Sequence, residues 1–301
     1  MFNPKRSKLM KNIPLLRPKA ILILFISLAI NIASNYQGFT QEYKIKTIVI
    51  DAGHGGRDGS TRGLYSTEKD VALKTALHLG AAIEASMKDV KVVYTRTEDV
   101  FIPLYERIAI ANNAKADLFI SIHCNDMPVR RSSVVTGYKK NKKGKRVPIY
   151  GTVSRKSTST RGVETFVSGM GRVNEQDEAI KRENASIFLE DNYKENYEGF
   201  DPSNPENMII LSLMKNTFRA QSLRLAKLVQ DQYIAVGRID RGVQEKSLAV
   251  LARAGMPAIL TEIGFISNPE EEDYMNSEEG QNEITNCLLK AIENYRKNVE
   301  G

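Results

Sequence analysis

Apolar positions in this chain follow two periods. Short continuous runs, "IKTIVI" (45–50), "VKVVYTR" (90–96), "ADLFISIH" (116–123), "RGVETFV" (161–167) and "PAILTEIGF" (257–265), read as strands. Between them, apolar residues recur at helical spacing over about 69–87, 104–113, 211–233 and 280–298, with a shorter apolar segment, "SLAVLARA", at 247–254. The alternation predicts an α/β fold: one domain over residues 44–298, with a twisted, mostly parallel sheet flanked by helices on both faces. No internal repeat is evident.

Two middle segments break the rhythm. Residues 128–163 hold eleven Lys or Arg and no Asp or Glu, and are rich in Ser, Thr and Gly, which predicts a solvated basic loop inserted between strands. Residues 175–197 reverse the balance and read as an acidic helix. At the other extreme, Lys5, Arg6, Lys8, Lys11, Arg17 and Lys19 precede the apolar run Ala20 to Ala33, with small residues Ala33 and Ser34 after it. A charged region followed by a fourteen-residue, mostly apolar run, short for a membrane span, predicts a signal peptide and linker over 1–38, with an N-terminal anchor as the alternative. The mature chain would then be secreted, and periplasmic in a Gram-negative bacterium.

Export changes the charge reading. The 43 basic residues less the six of the leader leave 37 against 36 acidic, a formal +1 in place of +7, so no global nucleic-acid footprint remains. Two cysteines, Cys124 and Cys287, make no disulfide scaffold and match no metal-binding cysteine spacing.

The candidate chemistry sits in "IVIDAGHGGRDG", where a strand ends in a histidine held between glycines. Neither G-x-G-x-x-G nor a Walker pattern fits the turn, which leaves the imidazole of His54, a good ligand for zinc. His123 ends a second buried strand, and the carboxyl ends of strands are where ligands gather in open α/β sheets. His78, mid-helix beside an apolar face, reads as structural or exposed. Glu68 opens a helix behind the candidate caps Ser66 and Thr67, and taken alone would be a surface glutamate favouring the helix dipole. Glu262 lies in an apolar strand, where a carboxylate is costly unless paired or bound to metal. Two histidines, one carboxylate and an open position would make a catalytic zinc site, with the second carboxylate taking the proton from the activated water. Residue chemistry alone leaves open which glutamate does which. Cys124 should face away from the site by strand alternation.

"IVIDAGHGGRDGSTRG", "STEKDVAL", "VVYTRTEDVFIPLYERIAIAN", "ADLFISIHCND", "RGVETFV" and "RGVQEKSLAVLARAGMPAILTEIGFISNPEEE" together resemble the zinc-dependent N-acetylmuramoyl-L-alanine amidases of the type-3 family, in the family's order. The resemblance implies one zinc ion held by His54, Glu68 and His123, with Glu262 as the catalytic acid and base. It implies hydrolysis of the amide between the lactyl group of N-acetylmuramic acid and L-alanine of the stem peptide, with peptidoglycan as partner, in wall remodelling and daughter-cell separation. The chain departs from the family in having "DGST" after Arg57 in place of Asp-Pro-Gly-Ala, and in the length of its basic insertion. Asn125 and Arg241 are expected in the substrate cleft, and Arg107 in a structural ion pair.

Some cell-separation members carry an inserted helix that covers the zinc until an activator, of LytM type, removes it. Residues 175–197 occupy that place, as such a lid or as an ordinary surface helix, and Glu190 or Glu183 would be the occluding acid. The basic insertion is expected to be mobile and solvated, or else to contact anionic wall or phospholipid surfaces weakly. Two rival readings are a silent relative that only binds peptidoglycan and a zinc carboxypeptidase. All four candidate residues are present, against the first; the histidine and glutamate spacing speaks against the second.

Overall fold

The computed structural model describes residues 44–59, 61–127, 129–169, 178–192 and 205–301. The leader expected over 1–38 lies outside the described residues, and Lys44–Gly301 forms one compact unit. Among the described residues no helix is long and apolar enough to cross a membrane.

A six-stranded sheet runs in the order β2-β1-β3-β8-β6-β7, where β1 is Thr47–Ala52, β2 Lys91–Tyr94, β3 Leu118–Asn125, β6 Val163–Ser168, β7 Asp240–Lys246 and β8 Ala258–Phe265. Every pairing is parallel except β6 with β8. The helices are α1 (Glu68–Ser86), α2 (Leu104–Asn113), α3 (Glu178–Asn184), α4 (Pro205–Ala235), α5 (Pro269–Asn276) and α6 (Glu278–Glu300). Strand alternation sorts the core into two layers. Ile48, Ile50, Leu118, Ile120, Ile122, Ile259 and Ile263 face α1, α4 and α6, while Val49, Phe119, Phe166 and Leu260 face α2 and α3. The helices therefore cover both faces, as the alternation predicts.

Two predicted features change. The hydroxyl of Thr67, at the N-cap of α1, bonds the Asp70 carboxylate rather than the helix backbone, and Ser66 Oγ donates to Glu272 Oε1 at 2.7 Å. The basic insertion is no loop: Val129–Lys140 (β4) and Arg146–Lys156 (β5) form a separate antiparallel hairpin. β-Branched and aromatic residues at 134–138 and 147–153 favour extended backbone. The turn is built by Asn141, whose Oδ1 accepts from Lys143 N and Lys145 N at 3.0 Å each, with Gly144 in the left-handed region at φ 75°. The lysine run concealed that pattern.

Beneath the turn after β1, Asp51 accepts from Thr95 Oγ1 (2.6 Å), Ser121 Oγ (2.6 Å) and Arg107 Nη1 (2.8 Å). Arg107, 1% exposed, also donates to the carbonyls of Ala52, His54 and Ile102, so the expected ion pair holds the turn. Burial pushes the Asp51 carboxyl up, but Arg107 and the two hydroxyls outweigh it and hold the group below its ordinary 3.8. A depressed carboxyl stabilises the fold fully above its unfolded value and loses that contribution as pH falls below it. Urea unfolding should therefore show stability falling below about pH 4, with a shallower fall in Asp51→Asn. Arg107→Met, which strands a buried carboxylate, should cost about 3–5 kcal/mol at neutral pH.

Candidate metal centre

The turn "GHGG" is shaped for close approach. His54 stands in the left-handed region at φ 57°, followed by Gly55 at φ 128°. A Cβ at Gly53 would lie 2.5 Å from the His123 ring, so glycine there lets the two imidazoles meet, their centroids 4.9 Å apart and edge to face. Arg96 fastens the turn from the β2 side through Ala52 O (2.9 Å) and Gly53 O (2.7 Å).

Glu68 is fully buried, not a surface glutamate. Its Oε1 lies 3.2 Å from His54 Nε2 and 3.1 Å from His123 Nδ1, and accepts from Cys124 N at 3.0 Å. Its Oε2 accepts from Thr61 Oγ1 at 2.7 Å. The loop leading to it is held by Glu272, which accepts from the amides of Leu64, Tyr65 and Ser66 at 2.7–3.0 Å. The Cys124 side chain packs in the opposite core layer.

A fourth residue completes the cluster. Glu183 of α3 puts Oε2 at 2.8 Å from His123 Nδ1 and 3.4 Å from His54 Nε2. One donor atom from each of His54, Glu68, His123 and Glu183 falls within 4.8 Å of the others, and all four side chains are buried. The other candidate, Glu190, is elsewhere: its Oε1 accepts from Leu104 N at 2.7 Å, at the start of α2. A 3₁₀ turn, Ala185–Leu189, links the two acids, and Asn184, Ser186 and Leu189 bond to Ser247 O, Asp58 and Arg57. Of the acidic stretch 175–197, residues 175–177 and 193–197 lie outside the described residues.

Glu262 is paired across the sheet with His123 in register, so both side chains emerge on one face. Arg182 bridges the two acids, with Nε on Glu183 Oε1 (2.7 Å) and Nη2 on Glu262 Oε1 (3.2 Å). Burial, then the negative charge of Glu183, raises the Glu262 carboxyl well above its ordinary value, against the pull of Arg182.

The donor set fits a divalent cation. Glu68, Glu183 and Glu262 are all buried around one guanidinium, and His54 Nε2, Glu183 Oε2 and Glu262 Oε2 lack hydrogen-bond partners. Burial alone would push both imidazoles down, yet Glu68 and Glu183 reverse this, and His123 is pushed up to about 9. The field that holds protons on those rings would hold a metal ion. His54 Nδ1 faces Asp58 Oδ2 at 2.8 Å, which directs Nε2 into the cluster.

Both cleft candidates, Asn125 and Arg241, meet Glu164. Asn125 is buried, with its amide spent on Glu164 rather than lining open space. Arg241 is exposed, stacks over Phe265 (4.9 Å) and lies 3.7 Å from Glu164 Oε2. Glu164 in β6, aligned with Glu262 and bonded by Gln244 Nε2 at 2.7 Å, went unnoticed in the sequence. Like Glu262, it is an acid inside an apolar strand, and that is the signal it carries in the sequence. His78 is half-buried in α1 and has no part in the cluster.

A family model described as N-acetylmuramoyl-L-alanine amidase matches residues 48–294, which include all four clustered residues and Glu262. The chain belongs to this amidase family. It is 29% identical over 250 residues to the N-acetylmuramoyl-L-alanine amidase AmiC of Escherichia coli, with 82% of this chain and 52% of AmiC covered. AmiC of Neisseria meningitidis is also 29% identical, over 256 residues, and again 52% covered, so the chain spans about half the length of these relatives. Among solved structures, the amidase of Clostridium difficile 630 superposes with a TM-score of 0.55 at 26% identity, covering 84% of this chain and 97% of that one. AmiC2 of Nostoc punctiforme shares the fold at a TM-score of 0.55 and 22% identity.

Proposed function

We propose that this amidase-family chain is a zinc-dependent N-acetylmuramoyl-L-alanine amidase that cleaves peptidoglycan between the lactyl group and L-alanine, acting in wall remodelling and cell separation. The observation that carries the reading is the buried cluster of two imidazoles and a carboxylate on the carboxyl ends of β1 and β3, with Glu262 beside it. His54, Glu68 and His123 would hold the ion, with Asp58 and Thr61 fixing the ligand orientations. When bound, zinc supplies Lewis-acid polarisation of the scissile carbonyl and lowers the pKa of a coordinated water to about 7. Glu262 would take a proton from the attacking water on a carboxylate oxygen and pass it to the leaving amine.

Glu183 makes the described arrangement a closed one. Three protein donors leave a position for substrate, whereas four fill a tetrahedral site. With Arg182 on Glu262, α3 would close the position left for substrate and hold the proton carrier at the same time. We therefore read 175–197 as an autoinhibitory lid, with Glu183 as the occluding acid, to be lifted by a LytM-type activator. Export through the leader would place the enzyme against the wall, in the periplasm.

Zinc titration of the chelator-stripped protein tests the metal assignment. One ion per chain should bind, with unfolding stability rising by about 4 kcal/mol at a thousand-fold excess over Kd. His54→Ala and His123→Ala should lose most of that rise; an unchanged rise in both would place the metal elsewhere.

A further inference from the structure

The β4–β5 hairpin bonds only to itself in the sheet topology, and the sequence from Ser132 to Arg146 is exposed except at Gly137. A lone two-stranded ribbon is marginally stable in water, and this one presents Tyr150 (65% exposed), Tyr138 (58%) and Val135 (47%) to solvent. Register places these side chains together. Val135 faces Tyr150, Tyr138 faces Pro148 and Lys140 faces Arg146, and partners in an antiparallel pair share a face. Arg146 stacks over Tyr138 at 4.8 Å on that same face. One side of the ribbon therefore carries an apolar, tyrosine-bearing band that ends in a basic tip.

The tip, Lys139 to Arg146, holds six Lys or Arg in eight residues, with no acid anywhere in the insertion. We propose that this hairpin docks on an anionic phospholipid surface, laying the Val135, Tyr138 and Tyr150 face into the headgroup region while the tip cations reach the lipid phosphates. Charge complementarity selects the lipid, and amphipathic tyrosines and long cationic stems suit a boundary that is apolar on one side and charged on the other. Lysines along the ribbon oppose strand addition by a protein partner. The hairpin is separate from the metal centre, so the proposal stands whether or not the hydrolytic reading does.

A dye attached at Thr152→Cys, exposed and on the same face, reports the contact directly in the full chain; Cys124 and Cys287 are buried. Mixed phosphatidylglycerol and phosphatidylcholine vesicles should shift its emission, and phosphatidylcholine alone should not. Changing the six tip residues to glutamine should weaken binding at least about ten-fold, because each cation near such a surface contributes about five-fold. Tyr138→Ser with Tyr150→Ser should weaken it further, with the melting midpoint of the domain unmoved in either variant. No shift on anionic vesicles, an equal shift on both lipids, or full binding by the six-glutamine variant overturns the proposal. So does a shift produced by soluble peptidoglycan fragments or nucleic acid in place of lipid.

Discussion

Substituting Glu262 with alanine lowers amide hydrolysis roughly 10²- to 10⁴-fold, the range expected for loss of a positioned proton carrier, while zinc content stays that of the unaltered protein. The split between the two readouts is the point of the experiment. Glu262 contributes no atom to the four-residue cluster, and its Oε2 has no partner, so metal binding should not depend on it. Its neighbours in β8 are buried and its register partner is His123, so the side chain occupies the face where substrate chemistry would occur. Peptide release from purified peptidoglycan and metal analysis of the same sample check the expectation together. Activity and zinc lost in parallel would make Glu262 a structural group.

Replacing Glu183 with alanine acts in the opposite direction. It removes a donor within 2.8 Å of His123 and frees Arg182 from one of its two carboxylates. If the closed arrangement holds about 90–99% of the molecules, full release raises basal hydrolysis by roughly ten- to a hundred-fold. Zinc should bind more weakly in the same variant, because one of four donors is gone. Higher turnover with weaker metal binding is a combination that simple damage to the fold does not produce. Basal activity unchanged or lower in a folded, zinc-loaded Glu183→Ala protein would remove the lid from the account.

Much of the fold was legible because strand runs and helical spacing are strong, local signals. β1, β3 and β8 are buried along their whole length or nearly so, and they read as continuous apolar runs. The histidines of the candidate metal cluster were legible for a related reason: His54 and His123 follow or end such strands. What stayed hidden is what depends on contacts across the chain. Thr61 and Asp58 orient the clustered side chains but belong to polar loops with no periodicity, and Glu272 holds the loop before Glu68 from a helix far along the chain. Asn125 looked like a cleft residue from its position after His123, and only tertiary packing shows Glu164 taking its amide. Glu183 and Glu190 were equivalent on the sequence, seven residues apart; the 3₁₀ turn between them sends one to the histidines and the other to the α2 terminus. The hairpin was missed because charge was weighed above the β-branched residues beside it.

The most direct test compares zinc-loaded Glu183→Ala with the Glu183→Ala/Glu262→Ala double variant on purified peptidoglycan, following stem peptides released with a free L-alanine amino terminus. The account predicts such peptides from the single variant and almost none from the double. Peptides from neither protein at full zinc loading, or equal release from both, would contradict it.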